Sequence, residues 1–323
     1  MIDSPAAPTM GVVIVVGSLN EDHVFQLDTL PAPGETVLSR SARSGLGGKG
    51  ANQAVAAAQI ADSVVLVCAV GDDLAGRRSI DRLNDLGVDT SECRVLTDAD
   101  TGLAYVSVDG AGENSIIVVQ GANALLSDDV VRTAIARHQD AGVIVVQGEI
   151  STAAIEQAAT SASLIGARLL LNLAPVLSLS RRVLLQADPL VVNRWEAAAL
   201  LRELVPRSDP NADNPLDIMR TLVSFGIPSL VVTLGADGAL CAEDNTIWKQ
   251  DAVPVEQVVD TTGAGDAFVG TVAAALAEGR SLRESVSLAS TIAASVVARP
   301  GAADSYAPLD SITRHLFNEE SVS

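Results

Sequence analysis

Short apolar runs alternate with longer amphipathic stretches along most of the 323-residue chain. The apolar runs have strand length and are rich in Val and Leu; they lie at 12–16, 64–67, 143–146, 169–171, 190–192 and 230–233. The amphipathic stretches are rich in Ala and Leu and lie at 51–60, 74–86, 128–137, 152–161, 216–225, 266–277 and 282–297. This alternation predicts a three-layer α/β domain, in which a mostly parallel central sheet lies between helices on both faces.

Two segments, 20–44 and 101–121, break the alternation, because they carry strand patterns and turns but no helix between them. In the second segment, two alternating runs flank the turn residues AGEN, which is typical of a β-hairpin. We expect the two segments to form one small β-sheet that projects as a lid over a cleft at the carboxyl ends of the parallel strands. The main domain then comprises 11–19, 45–100 and 122–317, with a surface loop at 206–215.

The net charge of −19 argues against polyanionic partners. Such a surface repels nucleic acids and anionic membranes, and an aromatic content of 2% leaves few platforms for stacking bases. Apolar runs of strand length are too short to cross a bilayer. The three cysteines form no CxxC pair and the N-terminus has no signal-peptide pattern, so we expect a cytoplasmic protein.

The strongest chemical motif is TTGAGD at 261–266, which comes directly before a helix. Gly263 and Gly265 permit a tight turn with no side chain to block a ligand. The unpaired N–H groups at the start of the helix favour an oxyanion or a phosphate. Asp266 at the same point could take a proton from a hydroxyl that attacks phosphorus. The alternative is that Asp266 only caps the helix.

Four glycines and a lysine in SGLGGKGAN precede an Ala-rich helix. The glycine spacing satisfies GxGxxG, but the preceding residues are polar and no acidic residue follows at the distance that a dinucleotide-binding dehydrogenase requires. The segment also lacks the Ser or Thr that follows the lysine of a Walker A loop. It is better explained as the wall of a polar pocket, in which Lys49 and Asn52 hold the hydroxyls of a small polyol. The alternative is a glycine-rich turn packed on the sheet.

Polar residues also follow two predicted strands. Asn20 and Asp22 come just after the first strand, and Glu149 comes after another. A carboxylate in such a place can accept hydrogen bonds from both hydroxyls of a vicinal diol. Polar residues at the junction of a strand and a turn are also common without any function.

Two further motifs leave alternatives open. Asn193 ends a predicted strand and Glu196 follows in the first turn of a helix. The pair could hold a hydrated Mg²⁺ or form a capping box. The segment TLGADG at 233–238 is explained equally well by a plain hairpin and by a loop that lines a nucleotide.

Together these motifs resemble the ribokinase family, also called the PfkB-type carbohydrate kinases, from about residue 11 to about residue 315. The motifs appear in the family's order: GSLNEDH, PAPGETV, GGKGANQA, GDD, GENSI followed by GAN, NLAP, TLGADG and DTTGAGDAF. The resemblance implies a ribokinase-like fold, ATP-dependent phosphorylation of the primary hydroxyl of a sugar, and homodimers that pair through their lids. The GGKGANQA and PAPGETV versions are most similar to those of members that act on ribose.

The resemblance also implies a role for each matching residue. Asp266 corresponds to the catalytic base, and the anion hole comprises Gly263, Ala264 and Gly265. The sugar-binding positions are Asn20, Asp22, Gly48, Lys49, Gly50, Asn52, Glu149 and Asp266. The ATP-binding positions are Asn193, Thr233, Gly235, Gly238, Gly265 and Ser290, and Mg²⁺ is associated with Asn193 and Glu196. A site for K⁺ as activator is implied at Asp260, Thr262, Val296, Arg299, Gly301 and Ser305.

Two segments depart from the family's pattern. In NRWE, Arg194 and Trp195 replace small or acidic neighbours, and in ARPGA the pair Pro300 and Gly301 replaces a usual basic pair, which leaves the strength of K⁺ binding open. The hypotheses are therefore a ribose kinase, a kinase of the same family for deoxyribose, another sugar or a nucleoside, and a sugar or nucleotide sensor without catalysis. A nucleoside kinase would be expected to carry more aromatic residues around the lid.

Overall fold

The structure of the protein, a computed structural model, describes residues 11–110, 112–205, 214–299 and 301–306. The loop predicted at 206–215 lies outside these residues apart from its last two positions, and so does the predicted end of the main domain at 307–317. The strands of the described residues are β1 (Val12–Val16), β2 (Asn20–Gln26), β3 (Ser41–Gly47), β4 (Val64–Val67), β5 (Ala69–Gly71), β6 (Arg94–Leu96), β7 (Gly102–Val108), β8 (Asn114–Val119), β9 (Ala141–Gln147), β10 (Arg168–Asn172), β11 (Ala187–Asn193), β12 (Ser229–Thr233), β13 (Ala239–Glu243) and β14 (Thr246–Gln250). Their helices are α1 (Lys49–Ala58), α2 (Leu74–Asp85), α3 (Asp128–Arg137), α4 (Thr152–Ile165), α5 (Arg181–Gln186), α6 (Arg194–Leu204), α7 (Pro215–Ser224), α8 (Ala264–Ala277) and α9 (Leu282–Val296).

The central sheet has the strand order β14-β13-β12-β11-β10-β9-β1-β4. Neighbouring strands from β12 to β4 are parallel, while β13 and β14 continue the sheet in antiparallel pairing. Helices α3 to α7 pack against the apolar side chains of one face, and α1, α2, α8 and α9 pack against those of the other. Because both faces of β1 are covered, the run from Val13 to Val16 is completely buried. The predicted three-layer arrangement with a mostly parallel sheet is confirmed.

Local signals determine where the helices begin and end. The hydroxyl of Ser151 accepts a hydrogen bond from the N–H of Ala154 and caps α4. That helix continues past the predicted end at 161 and stops at Gly166, whose φ of 75° lies in the left-handed region. Among the described residues, no helix is both long and apolar enough to span a membrane.

A second sheet has the strand order β3-β2-β7-β8 and is called the small sheet below. Its central strands β2 and β7 are parallel, and each has an antiparallel neighbour on its outer side. The hairpin predicted within 101–121 is the pair β7 and β8. This small sheet, separate from the central one, was expected from the two segments that lacked helices. A short parallel pair, β5 and β6, forms a third sheet.

The parallel strands bring polar residues to one edge of the central sheet. Gly17 follows β1, and the last residues of β9, β10, β11 and β12 are Gln147, Asn172, Asn193 and Thr233. Carboxyl ends of parallel strands are where α/β proteins bind ligands. The first residue of the small sheet, Asn20, comes from this same edge.

Candidate active site

Asp266 lies in the first turn of α8 and is 8% exposed. Both of its oxygens accept hydrogen bonds from α1: Oδ2 from Asn52 Nδ2 at 3.1 Å, and Oδ1 from Gln53 Nε2 at 2.9 Å. The N-cap position of α8 is Gly263, which has no side chain to cap the helix. Asp266 therefore does not cap α8, which was the alternative role that the sequence allowed. Its two donors match the acceptor-only chemistry of an ionised carboxylate.

The turn before α8 needs glycine for two different reasons. Gly263 has a φ of 77°, and a Cβ there would lie 2.8 Å from Ala302 Cα, so both conformation and packing require glycine. Gly265 is helical, and a Cβ there would meet nothing within 4 Å. Among the described residues the N–H groups of Gly263 and Gly265 have no acceptor, whereas Ala264 N–H donates to Thr261 O at 3.3 Å. The start of α8 thus offers free donors beside open space, which suits an anion.

Asn20 is 3% exposed, and its orientation is fixed by Asn123. Asn123 Nδ2 donates to Asn20 Oδ1 at 2.8 Å, and the same side chain bonds both the N–H and the carbonyl of Leu19. Gly102 lies so close to the two amides that no Cβ fits there. Because Asn20 Oδ1 is occupied, its Nδ2 is the group that can donate to a ligand.

Asp22 is two residues further along β2 and packs over Gly47, where there is no room for a Cβ. Its Oδ1 is buried and has no hydrogen-bond partner among the described residues. Burial, together with the negative charges of Glu149 and Asp266, raises the pKa of Asp22 to about 7, although Lys49 acts in the opposite direction. An unpaired buried carboxylate needs donors from a ligand, and a carboxyl with a perturbed pKa is typical of a functional site.

Glu149, just after β9, is fixed at the start of α1. Its Oε2 accepts hydrogen bonds from Ser18 Oγ at 2.5 Å and from Lys49 N–H at 3.1 Å. Asp266 above all raises the pKa of Lys49; burial opposes this change, and the other nearby carboxylates add to it. Lys49 is therefore a firmly charged cation among the carboxylates of the site.

The glycines before α1 have separate tasks. Gly48 has a φ of 87°, which favours glycine, and it precedes the first residue of the helix. Gly50 packs on the sheet, since a Cβ there would lie 2.6 Å from the carbonyl carbon of Gly17. Asn52 Oδ1 is buried without a hydrogen-bond partner among the described residues. The two interpretations of this segment thus coexist: Gly50 serves packing, while Lys49 and Asn52 contact the carboxylates of the site.

Asn193 and Glu196 form the capping box that the sequence left open as an alternative. Asn193 N–H donates to Glu196 Oε2 at 2.7 Å, and Glu196 N–H donates to Asn193 Oδ1 at 2.9 Å. Burial raises the pKa of Glu196, and the charges of Lys49 and Asp266 also act on it, in opposite directions. The pair therefore lies in the same electrostatic environment as Asp266, but the capping box already uses one oxygen of each side chain.

The motif TLGADG combines a hairpin with an open turn. Thr233 ends β12, Gly235–Asp237 form a short 3₁₀ turn, and Gly238 has a φ of 87° and no room for a Cβ. Gly235, in contrast, has a φ of 62° and open space around it. Arg194, one of the unusual residues of NRWE, pairs through Nη2 with Asp237 Oδ2 at 3.2 Å. This ion pair joins the start of α6 to the turn.

An open groove of about 450 Å³ lies between the segment 253–259 and α9. Thr291, Ala294 and Ser295 of α9 form one wall, together with Ala298 just after the helix. Ser290 is adjacent in α9, and its hydroxyl donates to Val286 O at 2.9 Å. The hydroxyl is thus engaged within its own helix rather than directed at the groove.

Asp260 organises the loop that leads to α8. Its Oδ1 accepts from Thr262 N–H at 2.9 Å, and its Oδ2 accepts from Gly301 N–H at 2.9 Å and from Arg43 Nη2 at 3.4 Å. Burial alone would raise the pKa of Asp260, but these hydrogen bonds outweigh it and leave the pKa below its ordinary value. The structure thus brings three of the six predicted K⁺ positions into contact. The other three positions lie within five residues of Gly301 in the chain: Val296 ends α9, Arg299 comes before Gly301, and Ser305 comes after it.

Residues 10–309 match the sequence model of the pfkB family carbohydrate kinases. The chain belongs to this family. A ribokinase of Haemophilus influenzae is 34% identical over 295 residues, which cover 90% of this chain and 94% of the relative. A deoxyribokinase of Salmonella typhi is 31% identical over 311 residues, which cover 95% of this chain and 99% of the relative. The solved structure of Arabidopsis thaliana ribokinase complexed with ribose and ATP matches with a TM-score of 0.81 and 29% identity, covering 94% of this chain and 98% of that one.

The family match confirms the predicted resemblance and the predicted class of enzyme, an ATP-dependent carbohydrate kinase. It also overturns the dehydrogenase interpretation of the GxGxxG spacing. The roles of the individual residues remain predictions, which the geometry above supports to different degrees.

Sequence reasoning missed several residues of this pfkB-family site. Ser18 holds Glu149, and Asn123 orients Asn20. Tyr306 donates its hydroxyl to Gly263 O at 2.9 Å, and burial first and then Asp266 raise its pKa well above the ordinary value. Three buried amides, Gln53, Gln147 and Asn172, form a network behind Asp266. Gln147 and Asn172 are polar residues at the ends of buried apolar strands. The same sequence signal drew attention to Asn193 and could have identified these two residues as well.

Proposed function

We propose that the protein transfers the γ-phosphoryl group of ATP to the primary (5-) hydroxyl of D-ribose and forms ribose 5-phosphate. The observation that carries this proposal is the position of Asp266. Its carboxylate is buried between two amide donors, directly beside the open space and free N–H groups at the start of α8. The similarity to ribokinases over most of both chains supports ribose as the sugar.

Ribose would bind where the small sheet meets α1. Asp22 Oδ1 and Asn52 Oδ1 are buried acceptors without partners, and Asn20 Nδ2 is a free donor, so together they match the hydroxyls of a polyol. Lys49 adds a charged ammonium group, and Glu149 adds a carboxylate that is held by Ser18 Oγ and by the N–H of Lys49. Gly48 and Gly50 complete the predicted set by shaping the backbone at this point.

Asp266 would accept the proton of the primary hydroxyl as that oxygen attacks the γ-phosphorus in line. The N–H groups of Gly263, Ala264 and Gly265 would stabilise the charge on the transferring group. Of these three, Ala264 first has to release its contact with Thr261 O. Most of the catalytic effect then comes from the positioning of two reactants in a site closed to water.

The nucleotide would lie along the strand ends on the other side of Asp266. Thr233, Gly235 and Gly238 line the turn after β12, and the open groove beside α9 has a volume of about 450 Å³, in which the base would lie near Ser290. Mg²⁺ would enter with ATP and supply positive charge to the phosphate oxygens. Among the described residues there is no group of three His, Cys, Asp or Glu side chains to hold a metal. Asn193 and Glu196 would therefore act on the ion through water.

A monovalent cation is the second ion that we propose. The six positions Asp260, Thr262, Val296, Arg299, Gly301 and Ser305 offer carbonyl, hydroxyl and carboxylate oxygens, a set that suits K⁺. Arg43 already pairs with Asp260 Oδ2, so part of the negative charge at this point is neutralised by the chain itself. The cation would hold the loop before α8 in the shape that aims its N–H groups at the phosphate.

We further propose that the small sheet acts as a lid and pairs two subunits into a homodimer. All six residues of β8 are exposed, and Ile117 is 65% exposed. Tyr105 of β7 stacks with both His23 and Phe25 of β2 and lies opposite His23 in the register. In a strand, these positions alternate with Asp22 and therefore lie on the face away from the sugar site. An exposed apolar surface of this kind fits a second copy of the chain.

The same alternation bears on the competing substrates. The aromatic side chains of the small sheet are directed away from Asp22, so they offer no stacking surface for a nucleoside base. The similarity to a deoxyribokinase keeps deoxyribose as the second candidate. The three cysteines Cys68, Cys93 and Cys241 are free thiols, which fits the proposed location in the reducing cytoplasm.

The test is to measure ADP formation with a panel of ribose, deoxyribose, other pentoses and nucleosides, with and without K⁺. We expect the highest kcat/KM for ribose. Asp266→Asn should lower kcat by at least about 10³-fold while calorimetry shows ribose binding close to that of the wild type. Binding of ribose and ATP without ADP formation by the wild-type protein would instead support a sensor, and normal turnover by Asp266→Asn would remove the proposed base.

A further inference from the structure

Gln53 connects Asp266 to the edge of the central sheet. It lies one turn after Lys49 in α1 and is completely buried. Its Nε2 donates both to Asp266 Oδ1 and to Asn172 Oδ1, each at 2.9 Å, and its Oε1 accepts from Gln147 Nε2 at 2.8 Å. Both hydrogens of the amide and its oxygen are therefore engaged.

The neighbours of Gln53 determine which way its amide points. Asn172 Nδ2 donates to Val191 O at 3.1 Å, and a carbonyl can only accept, so Asn172 must present its oxygen to Gln53. Gln53 must then present its NH₂ group to Asn172, and the same group reaches Asp266. Reversing the amide would place its oxygen against two other oxygens and leave Gln147 Nε2 without an acceptor.

The sheet itself holds this arrangement in place. Gln147 and Asn172 are the last residues of β9 and β10 and lie opposite each other in the parallel register. Gln147 is completely buried, and its Oε1 lies so close to Gly17 that no Cβ fits there. The backbone of three neighbouring strands thus fixes the donors that act on Asp266.

We propose that Gln53 is a positioning residue that fixes the carboxylate of Asp266 and supports its ionised form, with Gln147 acting through Gln53. This inference rests on the proposed role of Asp266 as the base. Several charged or titratable groups also face Asp266: Lys49 of α1, Asp22 of β2, Glu196 of α6 and Tyr306, with Glu149 beside them. The donor from Gln53 reaches Oδ1 at 2.9 Å and holds this carboxylate in place among the other charged groups.

The experiment compares Gln53→Met, Gln147→Met and the double variant in kcat, KM and the pH dependence of kcat/KM. Gln53→Met removes a hydrogen bond to a charged group, so kcat should fall by about 10- to 100-fold, and the acid limb of the pH profile should move up by about one pH unit or more. Gln147→Met should give a smaller change in the same direction. The double variant should behave like Gln53→Met alone, because Gln147 acts only through Gln53.

Two further variants separate this role from a general loss of a buried amide. Gln186→Met is the matched control: Gln186 is in α5 on the opposite layer, and its Oε1 is buried without a partner among the described residues. It should leave the pH profile unchanged. Gln53→Glu keeps the shape of the side chain and places a second carboxyl beside Asp266, so its activity should be low at neutral pH and recover as the pH is raised.

Calorimetric binding of ribose shows that each variant keeps its folded site. An acid limb like that of the wild type in both Gln53 variants overturns the proposal, and so do Gln53 and Gln147 effects that multiply in the double variant. If Gln53→Met does not fold, the pH profile of Gln53→Glu decides. Absence of kinase activity in the wild-type protein would instead refute the proposed function, which is a distinct outcome.

Discussion

Replacing Asp22 by Asn should make the ligand-free protein more stable while weakening its hold on ribose. In the folded protein the pKa of Asp22 rises from 3.8 to about 7, because the carboxyl is buried and faces two other carboxylates. A rise of about three pH units corresponds to about 4 kcal/mol, at about 1.4 kcal/mol for each unit. Ionised Asp22 therefore destabilises the folded state by about this amount when the site is empty.

The sign of the pH dependence follows from where the proton is bound. Because the folded-state pKa lies above the unfolded one, the contribution of Asp22 to stability is complete below about pH 4 and is lost as the pH rises through about 7. Asp22→Asn cannot ionise. Its free energy of unfolding should exceed that of the wild type by about 4 kcal/mol at pH 8, and the difference should shrink to about 1.5 kcal/mol at pH 5.

Urea unfolding of both proteins between pH 5 and pH 8, without sugar, measures this difference. Asp28→Asn is the matched control, because Asp28 is solvent-exposed near the end of β2, where it pairs with Arg40. Calorimetry in buffers of different ionisation enthalpy should show that ribose binding at pH 6 releases a proton in the wild type but not in Asp22→Asn. A stability difference that does not change with pH would refute the reasoning.

Three other substitutions test separate parts of the site. Gly265→Ala should be at least as stable as the wild type in thermal unfolding, because a Cβ there has room and helices favour Ala, but it should lower kcat/KM by at least about 100-fold because the methyl group fills the space before the helix. Gly263→Ala should instead unfold at a lower temperature than the wild type. A higher unfolding temperature for Gly263→Ala than for Gly265→Ala would contradict this assignment. Arg43→Ala should lower the concentration of K⁺ needed for half-maximal activity or for thermal stabilisation, because it removes a competing positive charge from Asp260; Arg40→Ala, an ion-paired arginine of the same region, should not. Ile117→Lys on β8 should convert a dimer into a monomer in sedimentation or size-exclusion measurements, and an unchanged mass would exclude β8 as the contact.

Much of the fold followed from periodicity, because strands covered on both faces produce continuous apolar runs such as 143–146. The helix α5 and the strands β5, β6 and β14 were not predicted: the strands are short or partly exposed, and α5 is only six residues long. Such elements form because other parts of the chain pair with them or cover them. These long-range contacts leave no hydrophobic pattern within the element itself, so the sequence does not predict it. The separate small sheet was predicted correctly because the absence of a helix between strands is itself a local signal.

The site was predictable only as far as single motifs carry chemistry. Asp266, Lys49 and Asn52 stood out because glycines and charges surround them in the sequence. Gln53 and Gln147 are 94 residues apart and have meaning only through a hydrogen bond between them. The capping box of Asn193 shows the opposite limit, since one pair of residues fitted two interpretations in the sequence, and only the distances showed that the capping box is formed.

The clamp made by Asn123 has a consequence for how the small sheet can move. Asn20 and Gly102 begin the two central strands, and both are packed against the same amide, with no space for a methyl group between them. These two strands therefore leave the main domain from one anchored pivot. The end of β3 pairs with Asn20 at the same pivot, so any swing of the sheet moves the far ends of the strands most, at Gln26, Ser41 and Val108, while Asn20 stays in place. Opening would thus carry the far part of the small sheet away from the main domain, while the start of β2 with Asn20 and the end of β3 stay together beside Lys49.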